Sequence, residues 1–376
     1  MNVLFACSGT AGHVNPALAI ATELELKKSD VNMLFVGSGR ELEKRLIPQA
    51  GYELVNIDMS GLRRKPSLAM VKHNIGTACK LLLAGRSAKE IISRFKPDVV
   101  VGTGGYICYP VLKKAAGMGI PTFIHDSNAI PGLTTKMVSG VVDKVLVSFP
   151  GQENYYKRPN RVIYTGTPVR NDFTAQATNM SDQNDGKSDK KKLIVSFWGS
   201  LGAEFMNGMM AEFISRVIED GEYRHIHAAG NAQALEKIQS DLEKTGFWEK
   251  ISPTVELKEY IDDMPKILAS ADIVLCRAGG STIGELLALK KPSVLIPSPY
   301  VSNNEQLENA KQLEKIGGAF LLEEKNCTGA KIYESVVEIL KNSERLNEMS
   351  AALEKLNVSN AASDIADMIL NTLYPE

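Results

Sequence analysis

Apolar and polar positions along this chain fall into short alternating blocks. Residues 2–7 are an apolar run, Ser8-Gly9-Thr10-Ala11-Gly12-His13 is a glycine turn, and 16–26 carry apolar residues at helical spacing, with Pro16 suited to a first helical turn. Residues 32–36 repeat the strand pattern and lead through Gly37-Ser38-Gly39 to a charged helix from Glu41. This is a βαβ rhythm, which predicts a parallel sheet with helices on both faces. Residues 98–101 run into Gly102-Thr103-Gly104-Gly105-Tyr106, and 121–125 end in the polar loop Asp126-Ser127-Asn128-Ala129-Ile130-Pro131-Gly132. Residues 174–192 are almost free of apolar side chains and predict an exposed connection.

The pattern then restarts. A strand at 193–197 precedes Gly199-Ser200-Leu201-Gly202, and 226–230 repeat the strand-then-glycine theme. Residues 255–260 lead to Ile261-Asp262-Asp263-Met264-Pro265, where an aspartate reads as a helix cap with proline in the first turn. An apolar run at 271–276 enters Gly279-Gly280-Ser281-Thr282-Ile283-Gly284-Glu285, 292–296 read as the last clear core strand, and 342–373 read as helices. The chain therefore shows one plan twice. The predicted architecture is two doubly wound α/β halves, whose ligands bind at the carboxyl ends of the strands.

Composition narrows the function. A length of 376 residues fits two or three domains of roughly 150 residues. With 43 basic against 44 acidic residues, nothing draws the chain to nucleic acid in general, so any anion site is local. Cys7, Cys79, Cys108, Cys276 and Cys327 form no CxxC pair, which argues against disulfides and structural zinc and fits a reducing cytosol. No apolar run reaches the ~18 residues of a membrane span, and 1–7 lack a basic leader, so they read as a first core strand.

The glycine turns carry the candidate chemistry. The first amides of a helix have no internal partner and face a ligand, so strand, tight turn and helix start make an anion site. Glu285 could then accept hydrogen bonds from a sugar diol. Thr282-x-x-Glu285 equally fits a capping box, in which Glu285 only closes a helix start. No turn is G-x-G-x-x-G or G-x-x-x-x-G-K-S/T, which lowers the dinucleotide and P-loop readings. His13, within a glycine turn, is a candidate base; His125 more plausibly orients its loop. Arg170, in Gly166-Thr167-Pro168-Val169-Arg170, could fork onto a phosphate or stand as an exposed charge. No metal is assigned to Asp262 and Asp263.

In their order along the chain, 8–13 with Pro16, 104–106, 125–132, 166–170, 199–202, 261–264 and 277–285 together resemble the MurG family, the N-acetylglucosaminyltransferases of peptidoglycan synthesis. The likeness covers nearly the whole chain. It implies a GT-B glycosyltransferase: two Rossmann-like, doubly wound domains facing across a cleft, with no metal or other cofactor. The expected division is an acceptor and membrane-side domain at 1–163, a UDP-N-acetylglucosamine domain at 164–345, and C-terminal helices at 346–376 free to cross back to the first.

The resemblance also assigns roles. His13 would be the catalytic base of an inverting transfer to lipid I. Thr10, Gly12, His13, Asn128, Arg170, Ser200, Ile261, Glu285 and Gln306 would serve the donor, with Ser200 and the 279–282 turn on the diphosphate, the Ile261 backbone on uracil, Glu285 on ribose and Gln306 on sugar hydroxyls. Thr10, His13, Tyr106, His125 and Asn128 would line the acceptor side. The acceptor would place the enzyme, as a peripheral protein, on the cytoplasmic face of the cell membrane. There, Arg63-Arg64-Lys65 and Met70, Ile75, Leu81, Leu82 and Leu83 among Lys72, Lys80 and Arg86 would meet the lipid, unless those leucines face the core. Ser8 and Trp198 stand where the family commonly has glycine, Asp126-Ser127 replace a usual Glu-Gln pair, and Glu305 replaces a polar neighbour of Gln306. The alternatives are another GT-B transferase with a different lipid or natural-product acceptor, a UDP-N-acetylglucosamine epimerase, and a non-catalytic UDP-sugar-binding paralogue.

Overall fold

The computed structural model describes residues 1–59, 68–182, 191–199, 202–251, 254–356 and 360–375, without the side chains of 68–79, 82, 178–182 and 302. The chain divides into two compact units, Met1–Asn171 with Asn360–Glu376, and Asp172–Ser359.

The first unit runs β1 (Asn2–Cys7), α1 (Ala11–Lys27), β2 (Asn32–Gly37), α2 (Glu41–Gln49), β3 (Glu53–Asn56), α3 (Leu68–Phe95), β4 (Val99–Gly104), α4 (Cys108–Gly117), β5 (Thr122–Asp126), α5 (Leu133–Val138), β6 (Lys144–Val147) and β7 (Val162–Tyr164). The sheet order is β3-β2-β1-β4-β5-β6-β7, all parallel. The period of two in an extended chain sorts β1 between two cores: Val3, Phe5 and Cys7 face the α1 side, and Leu4 and Ala6 face the side of α4. Both faces being covered, the strands read as unbroken apolar runs. Phe5 stacks on Phe35 of β2 at 4.9 Å between ring centroids.

The second unit begins within α6 (Asn171–Asp182) and continues β8 (Leu193–Phe197), α7 (Glu204–Asp220), β9 (Arg224–Ala228), α8 (Ala232–Lys244), β10 (Val255–Lys258), α9 (Met264–Ser270), β11 (Ile273–Cys276), α10 (Gly280–Ala288), β12 (Ser293–Leu295), α11 (Glu305–Ile316), β13 (Ala319–Leu321), α12 (Gly329–Lys341) and α13 (Ser343–Leu353). Its order, β10-β9-β8-β11-β12-β13, repeats the first plan. The last helix, α14 (Ala361–Leu373), lies in the first unit, where Ile365, Ala366 and Ile369 enter the core beside α1 and Asp367 pairs with Lys27 at 2.8 Å.

Some local expectations change. Helix α1 starts at Ala11, inside the glycine turn, so Pro16 is its sixth residue rather than a first-turn residue. A proline there cannot donate to the Gly12 carbonyl. The neighbouring His13 carbonyl accepts from the Thr103 hydroxyl at 2.6 Å. Residues 174–182, expected to be an exposed connection, continue α6, which the fully buried Phe173 anchors. The short strand β13 pairs beyond β12, so 292–296 is not the last core strand.

Candidate functional site

In both sheets the strand order reverses between the first strand of the unit and its fourth, and the loops at that point stand outside the carboxyl ends. In the first unit these are the turns after β1 and β4. The Ser8 amide donates to Gly104 O at 3.1 Å, which holds the two turns side by side. Ser8 is buried, and a Cβ on Gly105 would come within 2.3 Å of its carbonyl oxygen and 2.4 Å of its hydroxyl, so the close approach of the two turns requires glycine at 105.

His13 is the third residue of α1 and is partly exposed. Its Nδ1 lies 2.6 Å from the Ser8 carbonyl oxygen. A carbonyl only accepts, so Nδ1 carries the hydrogen and the neutral ring keeps its lone pair on Nε2. Burial holds the imidazole below its ordinary range, while the Ser8 carbonyl, Asp126 and Glu43 pull it back up and Arg40 works with burial. Thr10 is the exposed N-cap of α1, its side chain makes no capping bond, and Gly12 is the second residue of the helix. Tyr106 is half-buried in the adjoining turn.

Asn128 sits in the loop after β5. Asp126 accepts from the Asn128 and Gly132 amides at 3.1 and 2.9 Å, and the Gln152 amide donates to the carbonyls of Asn128 and Ala129, both at 2.7 Å. The shorter aspartate is thus an internal tie of this loop. His125 is fully buried. Its Nε2 donates to Gly166 O at 3.0 Å, tying β5 to the 166–170 turn, and burial pushes it down to about 4. Arg170, at the end of that turn, is exposed.

In the second unit the corresponding turns follow β8 and β11. Ser200 lies outside the described residues. Trp198 is buried in the core of this unit, and Gly202, at φ +73°, lies so close to Ala229 O that a Cβ would collide at 2.2 Å. Helix α10 begins at Gly280 with Gly279 as its N-cap. Thr282 is therefore already helical, and the capping-box reading of Glu285 falls away; the half-buried Glu285 stands well inside the first two turns. The buried Ser281 hydroxyl has no hydrogen-bond partner among the described residues. The turn is braced from elsewhere. Asn309 of α11 donates to Ala278 O at 3.0 Å, and Arg277 donates to Ile296 O at 3.0 Å and pairs with Glu324 at 2.5 Å.

The Ile261 side chain is 3% exposed, which leaves only its backbone available. Asp263 caps α9 by accepting from the Lys266 amide at 3.4 Å, with Pro265 in the first turn. Gln306, in the first turn of α11, accepts from the Ser298 amide at 2.9 Å, which directs its NH₂ group away from that bond. A cavity of about 390 Å³ adjoins it, lined in part by Ser298, Tyr300, Asn304 and Leu307.

Thr10, Gly12, His13, Tyr106, His125, Asn128 and Arg170 are thus in the first unit, and Ile261, Glu285 and Gln306 in the second. The sequence gives no bracing role to Glu43, Gln152, Asn309 or Glu324, and Arg277 enters it only as the start of the 277–285 stretch. Only Glu43 left a local mark, as an acid in the first turn of α2.

Residues 3–147 match the glycosyltransferase family 28 N-terminal domain, and 193–367 match the glycosyltransferase family 28 C-terminal domain. A protein of Acetivibrio thermocellus named UDP-N-acetylglucosamine--N-acetylmuramyl-(pentapeptide) pyrophosphoryl-undecaprenol N-acetylglucosamine transferase is 40% identical over 98% of this chain and 97% of its own. A protein of the same name from Thermoanaerobacter sp. (strain X514) is 40% identical over 98% of this chain and 99% of its own. The crystal structure of Acinetobacter baumannii MurG superposes with a TM-score of 0.75 at 26% identity, over 99% of this chain and 100% of that one. Two parallel α/β units built on one plan, glycine turns at both points of strand reversal and a match along nearly the whole chain lead to one assignment: the chain has the GT-B fold and belongs to the MurG family within glycosyltransferase family 28.

Proposed function

We infer that this protein is an inverting glycosyltransferase that moves N-acetylglucosamine from UDP-N-acetylglucosamine to lipid I, forming lipid II in peptidoglycan synthesis. The observation that carries the chemistry is the fixed tautomer of His13, whose Nδ1 is committed to Ser8 O and whose Nε2 is left basic. The acceptor hydroxyl oxygen attacks the anomeric carbon, its proton passes to His13 Nε2, and the bond from that carbon to the diphosphate oxygen breaks to release UDP. Negative charge grows on the leaving diphosphate. Helix-start amides of α10, the Ser281 hydroxyl, which has no hydrogen-bond partner among the described residues, Ser200 and Arg170 are the groups assigned to it. Glu285 takes the ribose, the Ile261 backbone the uracil, and the Gln306 NH₂ the sugar hydroxyls. Thr10, Gly12, Tyr106, His125 and Asn128 keep the roles the resemblance gives them.

Measuring UDP release from UDP-N-acetylglucosamine with and without lipid I tests this reading. Release only with lipid I supports it. Turnover of the donor alone points to an epimerase, and donor binding without release under either condition points to a binding paralogue.

Binding at the cytoplasmic face of the membrane, as a peripheral protein, belongs to the same reading. No described helix is long and apolar enough to cross a membrane. Of the segment expected to meet lipid, 63–65 and the side chains of Met70, Lys72, Ile75 and Leu82 lie outside the described residues. Leu83 is 56% exposed, and Lys80 pairs with Asp58 at 2.9 Å. Flotation with anionic liposomes at low salt checks it, and failure to float counts against it.

A further inference from the structure

We propose that Glu43 is a positioning residue for His13, acting through the one peptide group that joins Ser8 to Gly9. The N–H of that peptide, on Gly9, donates to Glu43 Oε1 at 2.8 Å. The C=O of the same peptide, on Ser8, accepts from His13 Nδ1 at 2.6 Å. Carboxylate, peptide and imidazole are therefore joined in series, with the peptide standing where a carboxylate would touch the ring directly in a simple acid–histidine pair.

The physics of the series is cooperative polarisation. A negative group at the N–H end of a peptide draws the hydrogen and leaves the carbonyl oxygen a stronger acceptor. When His13 Nε2 takes the acceptor's proton, the new positive charge on the ring is met by that oxygen. No proton crosses the peptide; Nδ1 keeps its hydrogen throughout. Gly9 makes the arrangement possible, because at φ +103° it lets the peptide face Glu43 on one side and the ring on the other.

Glu43 is well placed to act this way. It is fully buried, and it also accepts from the Ser38 amide at 2.7 Å, the Ser38 hydroxyl at 2.8 Å, and the Gly39 and Arg40 amides at 2.9 and 3.3 Å. Five donors on two oxygens are the complement of a carboxylate and fix its position. Gly37 leaves the room, since a Cβ there would stand 2.7 Å from Glu43 Oε2. The other charged groups that act on His13 are Asp126 at the end of β5 and Arg40 ahead of α2. The isolated loop tie is the competing role for Glu43, and it makes no demand on the ring.

This inference rests on His13 being the base, so the test separates the two. Glu43→Gln keeps the shape and removes the charge. Its kcat/KM for lipid I should fall about 10-fold or more, with KM for UDP-N-acetylglucosamine within about twofold of wild type. Removing a negative charge makes the ring less basic, so the acidic limb of the pH profile should move to lower pH by roughly half a unit. A variant with a lower melting temperature and an unmoved limb overturns the relay. Should the variant fail to fold, ¹⁵N spectra of the wild-type histidines decide: His13 must be the Nδ1–H tautomer, and an Nε2–H tautomer overturns the proposal. If His13→Ala turns over normally, the base reading fails by itself, while the His13 titration in Glu43→Gln still tests the relay: a downward shift supports it and an unchanged value overturns it.

Discussion

The imidazole of His13 fills the space that a side chain on Gly104 would need. A Cβ at Gly104 would lie 2.3 Å from the ring's Cδ2 and 2.8 Å from Nε2, and the residue holds φ +119°. Gly104→Ala must push the ring off its bond to Ser8 and strain the backbone. The expected result is a loss of about 100-fold in kcat with UDP affinity unchanged, a loss of the size that misplacing a catalytic group produces. Steady-state kinetics beside UDP calorimetry would show it, and an alanine variant of normal activity would remove His13 from its assigned position.

The base itself should leave a pH signature. His13 lies below its ordinary value of 6.5 because its ring is largely shielded from solvent, although the residue as a whole is partly exposed. A general base works in its deprotonated form, so kcat/KM for lipid I should rise along a limb whose midpoint is below 6.5. His13→Ala should lower kcat by roughly 10²–10⁴-fold and abolish that limb. A midpoint above 7 would point to another group.

Glu285 lies inside α10 rather than closing it. Glu285→Gln should therefore weaken UDP binding about 10-fold, the size of a lost charge-assisted hydrogen bond, and leave the melting temperature nearly unchanged. Calorimetry and a thermal scan read the two effects. A large fall in melting temperature with full UDP affinity would return Glu285 to a structural role.

Acid should loosen both units. In the second, the Ser196 hydroxyl bridges His225 Nε2 at 2.7 Å and His227 Nδ1 at 2.8 Å, all three buried. Burial pushes His225 far down and His227 to about 3; in the first unit His125 sits at about 4. Each is neutral when folded and takes a proton near 6.5 when unfolded, so the unfolded state binds more protons and stability falls as pH drops below 6.5. The slope is up to about 1.4 kcal/mol per pH unit for each histidine. Urea midpoints at pH 7 and 5 would reveal it, ahead of most carboxylates, and equal midpoints would contradict it.

What the sequence could show follows from where each signal lies. Strands β1, β2, β4, β8 and β11 are buried on both faces and read as continuous apolar runs, and the glycine turns follow them directly, so the fold plan and the places of the turns at 8–13, 102–106 and 279–285 are legible. The edge strand β3 and the short β7 carry exposed or half-buried residues and offered no such run. The start of α1 is hidden because Pro16 suggests a first turn, whereas the helix begins inside the turn before it. The bracing roles of Glu43 and Asn309 are silent in the sequence for a different reason. The bond that matters to each runs to a backbone group, the Gly9 N–H 34 residues from Glu43 and the Ala278 carbonyl 31 residues from Asn309, and main-chain groups leave no mark on the sequence.

The return of α14 to the first unit also orders how the molecule is made. Residues 172–359 form an uninterrupted unit and can close as soon as they leave the ribosome, while the α1 face of the first unit waits for Ile365, Ala366 and Ile369 of α14, which belong to the same core. The lobe synthesised first is thus the one finished last. Nascent chains stalled with residue 359 just emerged should carry a protease-resistant second lobe and a readily cut amino-terminal one; equal resistance in both would show that the α1 face is stable uncovered.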